Sequence, residues 1–137
     1  MLDSIQRNVP TKSEINNEIA NDVLIANDPD ADRCAAAVKD PATGWRMLRG
    51  DELGAILGES IARKINNGIF ANSIVSSSIV KKIADHYNLQ FKETLTGFKW
   101  LAKIKGLTFG YEEALGYAVD TETVNDKYGI SAAITLA

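Results

Sequence analysis

Cysteine, histidine, proline and any excess of positive charge are scarce in these 137 residues. The single Cys34 excludes an internal disulfide, and its place inside an apolar run reads as buried packing rather than a reactive thiol. The only histidine, His86, lies between Asp85 and Tyr87 on a predicted helix and reads as an exposed or capping residue rather than a ligand. A net charge of -3 leaves no basic stripe for nucleic acid. No apolar run approaches the roughly 18 residues that cross a bilayer, which gives no expectation of a membrane partner. Met1-Leu2-Asp3-Ser4-Ile5 lacks the charged and apolar regions of a signal peptide, so a reducing cytoplasm is expected. What is abundant is apolar residues, 45% of the chain, enough to bury a core in one ordinary domain or two small ones.

The densest chemistry is Asp28-Pro29-Asp30-Ala31-Asp32-Arg33, three carboxylates at alternate positions. Val23-Leu24-Ile25-Ala26 leads in and Cys34-Ala35-Ala36-Ala37-Val38 leads out, and both runs read as buried strands holding one acidic loop. Three carboxylates on a tight turn repel one another, and a hard divalent ion such as Mg²⁺, which takes oxygen ligands, relieves that repulsion. The alternative is a solvated Asx-type turn with no ion. An EF-hand calcium loop fits only the first five positions, because the sixth is Arg33 instead of Gly and the twelfth is Lys39 instead of Glu. Arg33 beside the carboxylates either neutralises them or awaits an anion, and a cation paired with Arg is a usual clamp for a phosphoryl group.

Residues 1–21 are polar, with a weak helical pattern around Ile15, Ile19 and Ala20. Strands over 22–26 and 34–38 follow, and Lys39 to Gly44 turns into a third at 45–48. A helix opens at Gly50-Asp51, with Leu53, Ile56, Leu57, Ile61 and Ile65 at the 3.6-residue period, and stops at Asn66-Asn67-Gly68. Strand 69–75, a serine-capped helix with Ile79, Val80, Ile83, Ala84 and Tyr87 inward, strand 89–95 and a short helix from Phe98 make an alternating unit. Strand 107–111, a return at 117–119 and a helix over 126–137 packed by Ile130, Ala133, Ile134 and Ala137 complete it. Trp45 and Trp100 read as packing residues. The fold class is α/β: mixed, mainly parallel sheets with flanking helices in two subdomains, residues 1–66 and 67–137. In such sheets ligands sit beyond the carboxyl ends of the strands, where the loops 76–78, 96–97 and 112–116 put hydroxyls and two carboxylates at one rim. Those groups suit a polyhydroxylated ligand.

Six stretches in order resemble the α-D-phosphohexomutase superfamily, the phosphomannomutases and phosphoglucomutases. They are Ala26-Asn27-Asp28-Pro29-Asp30-Ala31-Asp32-Arg33, Arg49-Gly50-Asp51-Glu52-Leu53-Gly54, the triple serine after Ile74-Val75, Thr96-Gly97-Phe98-Lys99-Trp100, Gly110-Tyr111-Glu112-Glu113-Ala114-Leu115-Gly116, and Asp126-Lys127-Tyr128-Gly129-Ile130-Ser131-Ala132-Ala133. The resemblance implies an isomerase that moves phosphate between the 1 and 6 positions of a mannose or glucose phosphate, through a phosphoserine and a bisphosphate intermediate. It implies Mg²⁺ on Asp28, Asp30 and Asp32, and Arg33 as the catalytic contact to the transferring phosphoryl group. It also implies Thr96, Gly97 and Glu112 as the sugar site, with Lys127 steadying the ligand and its anionic end.

Ala114 stands where many members have Ser, and Tyr128 where a second Asp usually follows the lysine. The superfamily's Thr-x-Ser-His-Asn-Pro phosphoserine loop is absent from this sequence, as is its Arg-rich phosphate-binding loop. The resemblance therefore implies a fragment: the end of a second domain over 1–66 and most of a third over 67–137, inactive alone. Alternative functions are a non-catalytic binding module for Mg²⁺ or sugar phosphate, and a phosphopentomutase-type substrate. A sheet divided in this way offers unpaired edges, so a homo-oligomer through that edge is expected.

Overall fold

The computed structural model describes residues 23–137. The helical pattern around Ile15, Ile19 and Ala20 and the first residue of the predicted opening strand, Asp22, lie outside the described residues. Three strands, β1 (Val23–Asn27), β2 (Cys34–Asp40) and β3 (Gly44–Met47), form an antiparallel sheet in that order. Among the described residues β1 pairs only with β2 and is not a buried strand: Val23 is 42% exposed, and in these two strands full burial is limited to Cys34, Ala35 and Ala36 at the start of β2. Parallel pairing is confined to a second sheet ordered β5-β4-β6-β7, comprising β4 (Ile69–Ser73), β5 (Gln90–Thr94), β6 (Leu107–Glu112) and β7 (Gly116–Ala118). β4 is its centre, parallel to β5 and to β6, and β7 returns antiparallel on β6.

Helix α1 (Gly50–Ala62) joins the two sheets. Its first turn is held by Glu52, whose Oε2 accepts the Arg49 N–H at 2.8 Å, and Arg46 Nη1 donates to both Glu52 oxygens. The buried arc of α1 is Gly50, Leu53, Gly54, Leu57, Gly58 and Ala62, so the stripe runs through glycines as well as leucines. Ile56 falls off that arc and is 45% exposed, which corrects its predicted inward position. Glycine is required here by an aromatic ladder. Phe109, Tyr111 and Tyr117 lie nearly parallel, with centroids 6.2 and 6.3 Å apart. A Cβ on Gly54 would sit 2.6 Å from the Tyr111 ring, and one on Gly58 3.1 Å from Phe109.

Helix α2 (Ile79–His86) buries Val80 and Ala84 against α1 and β4, while Ile79 stays at the surface. α3 (Phe98–Leu101) buries Phe98 and Leu101 on the opposite face of the second sheet, with Ala71, Leu107 and Ala118. Trp100 is not packing: it is 37% exposed, with Lys103 Nζ 4.5 Å from the ring centroid. His86 is exposed and stands edge-on to Tyr87. α4 (Gly129–Leu136) packs on β1, β2 and β7. Its buried residues are Gly129 and Ala132 and Ala133 packs against the core as predicted, while Ile130 and Ile134 face outward against the prediction. Small residues let this helix approach closely: a Cβ on Gly129 would collide with the Arg33 carbonyl oxygen and Asn27 Nδ2.

Gly54→Ala drives a methyl into a fixed ring and should lower unfolding free energy by about 1–3 kcal/mol in urea titration. Ile56→Ala, on the exposed side of the same helix, should stay within about 0.5 kcal/mol.

Candidate active site

Pro29 and the backbone of Ala31 shape the acidic loop. The Ala31 N–H donates to the Asp28 carbonyl at 2.9 Å, and Ala31 sits at φ 55°, a left-handed conformation that costs a non-glycine residue about 1 kcal/mol. Asp28 closes the loop from within. Its Oδ1 accepts the Arg33 N–H at 3.1 Å and its Oδ2 the Arg33 Nε at 2.9 Å, with the carboxylate only 5% exposed. Burial alone would raise the Asp28 pKa, but the Arg33 backbone and guanidinium override it and hold the carboxyl below the ordinary aspartate value. Asp32 turns the other way, 2.7 Å from Lys127 Nζ and 3.7 Å from Arg33 Nε.

The backbone brings this loop to the second sheet. Cys34 N–H donates to the Leu115 carbonyl at 3.1 Å, Arg33 and Gly116 form an isolated antiparallel bridge, and Gly129 N–H donates to the Ala31 carbonyl at 2.9 Å. Between the two loops lies an open cavity of about 250 Å³ lined by Asp28, Asp30, Asp32, Arg33, Glu112, Ala114, Gly116 and Lys127. Six of the eight sequence-predicted site residues thus meet at one wall, although Glu112 and Lys127 are some eighty and more positions from the acidic loop. Gly97 reaches the site through Glu112, whose Oε1 accepts its N–H at 2.6 Å. Gly97 stands at φ 116°, which favours glycine. Thr96 is exposed and does not line the cavity.

Four carboxylates against two cations leave the cavity wall short of positive charge. The donors are all hard oxygens, the set that suits Mg²⁺. Among the described residues, however, no three Asp, Glu, His or Cys side chains form a finished metal cage. Arg33 and Lys127 hold Asp28 and Asp32 instead, and those cations offset part of the loop's negative charge. Cys34, directly behind Arg33, is buried, and burial pushes its thiol up to about 11, so it serves as packing.

Residues 49–137 match the family model described as phosphoglucomutase/phosphomannomutase, alpha/beta/alpha domain III. The chain belongs to the phosphoglucomutase/phosphomannomutase family. The match begins at Arg49 and so includes α1, which the division at residues 66 and 67 would place in the preceding unit. A Haemophilus influenzae protein named "Probable phosphomannomutase" is 52% identical over 113 residues, covering 81% of this chain and 23% of that one. A Saccharomyces cerevisiae phosphoribomutase is 40% identical over 132 residues, covering 82% and 21%. The chain therefore spans about a fifth of the length of these mutases. Among solved structures, a phosphoglucomutase/phosphomannomutase family protein from Burkholderia thailandensis aligns with a TM-score of 0.71 at 14% identity, over 91% of this chain and 28% of that one. An Aspergillus fumigatus N-acetylphosphoglucosamine mutase, solved with GlcNAc-6P and magnesium, aligns at 0.54 and 18% identity, over 88% and 28%.

Three side chains outside the cavity wall, Asp51, Tyr111 and Glu113, tie the elements around it together, a role their place in the motifs does not reveal. Asp51 Oδ1 accepts the Ser77 N–H at 2.7 Å and the Tyr111 hydroxyl at 2.8 Å, which ties α1 to the loop after β4. Burial, reinforced by Asp51, pushes the Tyr111 phenol up and keeps it a donor. Glu113 gathers serine hydroxyls on the far side of the turn from Glu112. Only the alternation of side chains past the end of β6 hints at that last arrangement in the sequence.

Asp28→Asn should cost about 1.5–3 kcal/mol near neutral pH, because it removes charge-assisted hydrogen bonds to Arg33. The folded Asp28 pKa lies below 3.8, so this contribution is full above that value and vanishes as pH falls through the folded pKa. Urea midpoints of the wild type and the variant should therefore converge on acidification below pH 3.8.

Proposed function

We propose that this chain is the metal-loop and sugar-loop portion of a phosphohexomutase that moves a phosphoryl group between the 1 and 6 positions of a glucose or mannose phosphate. The observation that carries the reading is the single cavity at which Asp28, Asp30, Asp32 and Arg33 from one loop face Glu112 and Lys127 from the second sheet. Asp28, Asp30 and Asp32 would hold Mg²⁺, which supplies charge stabilisation to a phosphoryl group when bound. Arg33 presents a guanidinium to the same anion. Glu112 suits a substrate that must be gripped in two orientations, because a carboxylate accepts from vicinal hydroxyls whichever end is presented. Gly97 N–H engages one oxygen of that carboxylate and fixes its direction. Thr96 flanks Gly97 outside the cavity wall, and Lys127 meets the anionic end after exchanging Asp32 for the ligand.

The serine that carries the phosphoryl group is supplied from outside these residues, since no Thr-x-Ser-His-Asn-Pro stretch is present. The reading divides the chain into the end of a second domain and a third that begins at Arg49, as the extent of the family match supports. It places the protein in the cytoplasm, where a lone buried thiol stays reduced. A pentose phosphate is the second reading for the substrate. The phosphoribomutase relative supports it, and so does Ala114, which offers one hydroxyl contact fewer than the usual serine.

Titration calorimetry of the chain with glucose 1-phosphate in Mg²⁺ should give saturable heats, weakened about tenfold or more by Glu112→Ala through loss of charged hydrogen bonds. The same chain should show no turnover in a coupled mutase assay primed with glucose 1,6-bisphosphate. Flat titrations, or turnover above blank, would overturn the assignment.

Among the described residues the first sheet ends at β1 and β3, which supports self-association: Val23 on β1 and Met47 on β3 are 42% and 57% exposed. Light scattering should report a dimer or larger species, and a monodisperse monomer would remove this part of the proposal.

A further inference from the structure

Glu112 and Glu113 are neighbours in sequence with different partners. Glu112 ends β6 and meets Gly97 across the sugar loop, whereas Glu113 Oε2 accepts the Ser76 hydroxyl at 2.9 Å and the Ser73 hydroxyl at 3.3 Å. The contact is reciprocal, because the Glu113 N–H donates to Ser76 Oγ at 3.3 Å and the two serine oxygens lie 2.8 Å apart. Ser73 is fully buried at the carboxyl end of β4, next to Asn72, whose equally buried Oδ1 has no partner among the described residues. Polar groups are thus buried at this strand end at a cost that packing does not explain.

The Glu113 backbone is clamped as well. Its carbonyl oxygen occupies the space a Cβ on Gly50 would need, so the start of α1 lies directly against the turn. Two residues on, Leu115 sits at φ 68°, a left-handed conformation that a leucine keeps only when its surroundings impose it. The imposing contacts are the Cys34 N–H on the Leu115 carbonyl at one side and the serine–Glu113 cluster at the other.

We propose that Glu113 is a positioning residue. By holding the Ser73 and Ser76 hydroxyls it sets the turn from which Glu112 meets the sugar, so the loop after β4 governs sugar-phosphate affinity without touching the ligand. The affinity part of this inference rests on the sugar-phosphate reading above; the positioning part does not.

Two measurements on the chain separate them. The amide resonance of Gly97, whose N–H Glu112 accepts, should shift in Glu113→Ala and in Ser76→Ala. It should return in Glu113→Gln, which keeps an acceptor oxygen at the same reach. A Gly97 resonance unmoved in Glu113→Ala overturns the proposal whether or not any sugar binds. In calorimetry, Glu113→Ala should weaken glucose 1-phosphate about tenfold and leave Mg²⁺ affinity unchanged, with Glu113→Gln restoring most of the loss. Combining Glu113→Ala with Ser76→Ala should add little, as groups of one network behave. Unchanged sugar affinity in Glu113→Ala, or sugar and Mg²⁺ affinity falling together as in general loosening, would overturn it. Should the wild type bind no glucose 1-phosphate while Gly97 shifts as expected, the substrate reading fails and the positioning role stands.

Discussion

The contact on which the rest depends is the seating of α1 on the aromatic ladder of the second sheet. Gly54 and Gly58 bring the helix axis against Tyr111 and Phe109, and the buried Tyr117 hydroxyl donates to the Gly50 carbonyl at 3.0 Å. That approach leaves no room for a methyl group, so the interface holds one arrangement rather than a family of them. α1 follows directly from the antiparallel sheet, and its position therefore sets where the acidic loop arrives.

At that cavity electrostatics takes over from packing. The acidic loop carries more negative charge than a tight turn tolerates, and the two cations at the wall relieve it without filling it. Asp28 also sets the shape of the loop, because its two oxygens hold the Arg33 backbone and guanidinium. Asp32 is held by a lysine from a different part of the chain, so the two loops are joined by an ion pair as well as by backbone. An ion pair of this kind across an open cleft is easily exchanged for a ligand, since both partners stay about one-third exposed.

Several elements were legible from local pattern. The acidic loop between two strands, the helix after Gly50, the alternating strand and helix order and the turn at Glu112 all follow from period, caps and turn residues. Helix faces were legible only where large apolar residues decide them. α4 turns Ile130 and Ile134 to the surface because its contact with β1, β2 and β7 is set by Gly129 and Ala132. Ile56 lies outward for the same reason on α1. A rule that sends the largest apolar residue inward fails when the neighbour is a rigid ring or a backbone carbonyl, which only a small residue can approach.

The amino-acid order by itself determined the chemistry available: three alternating carboxylates with an arginine, a glutamate pair ending a strand, a lysine before the last helix, and a family identity carried by their order. Those are properties of neighbouring residues, and local geometry expresses them wherever the chain folds. Only the tertiary structure decided that the acidic loop and the turn at Glu112 face one cavity, that Asp32 meets Lys127, and that Glu112 and Glu113 bind different partners. Such pairings join residues as many as ninety-five positions apart. Their distances come from how two sheets seat against one helix, a quantity that no stretch of sequence contains.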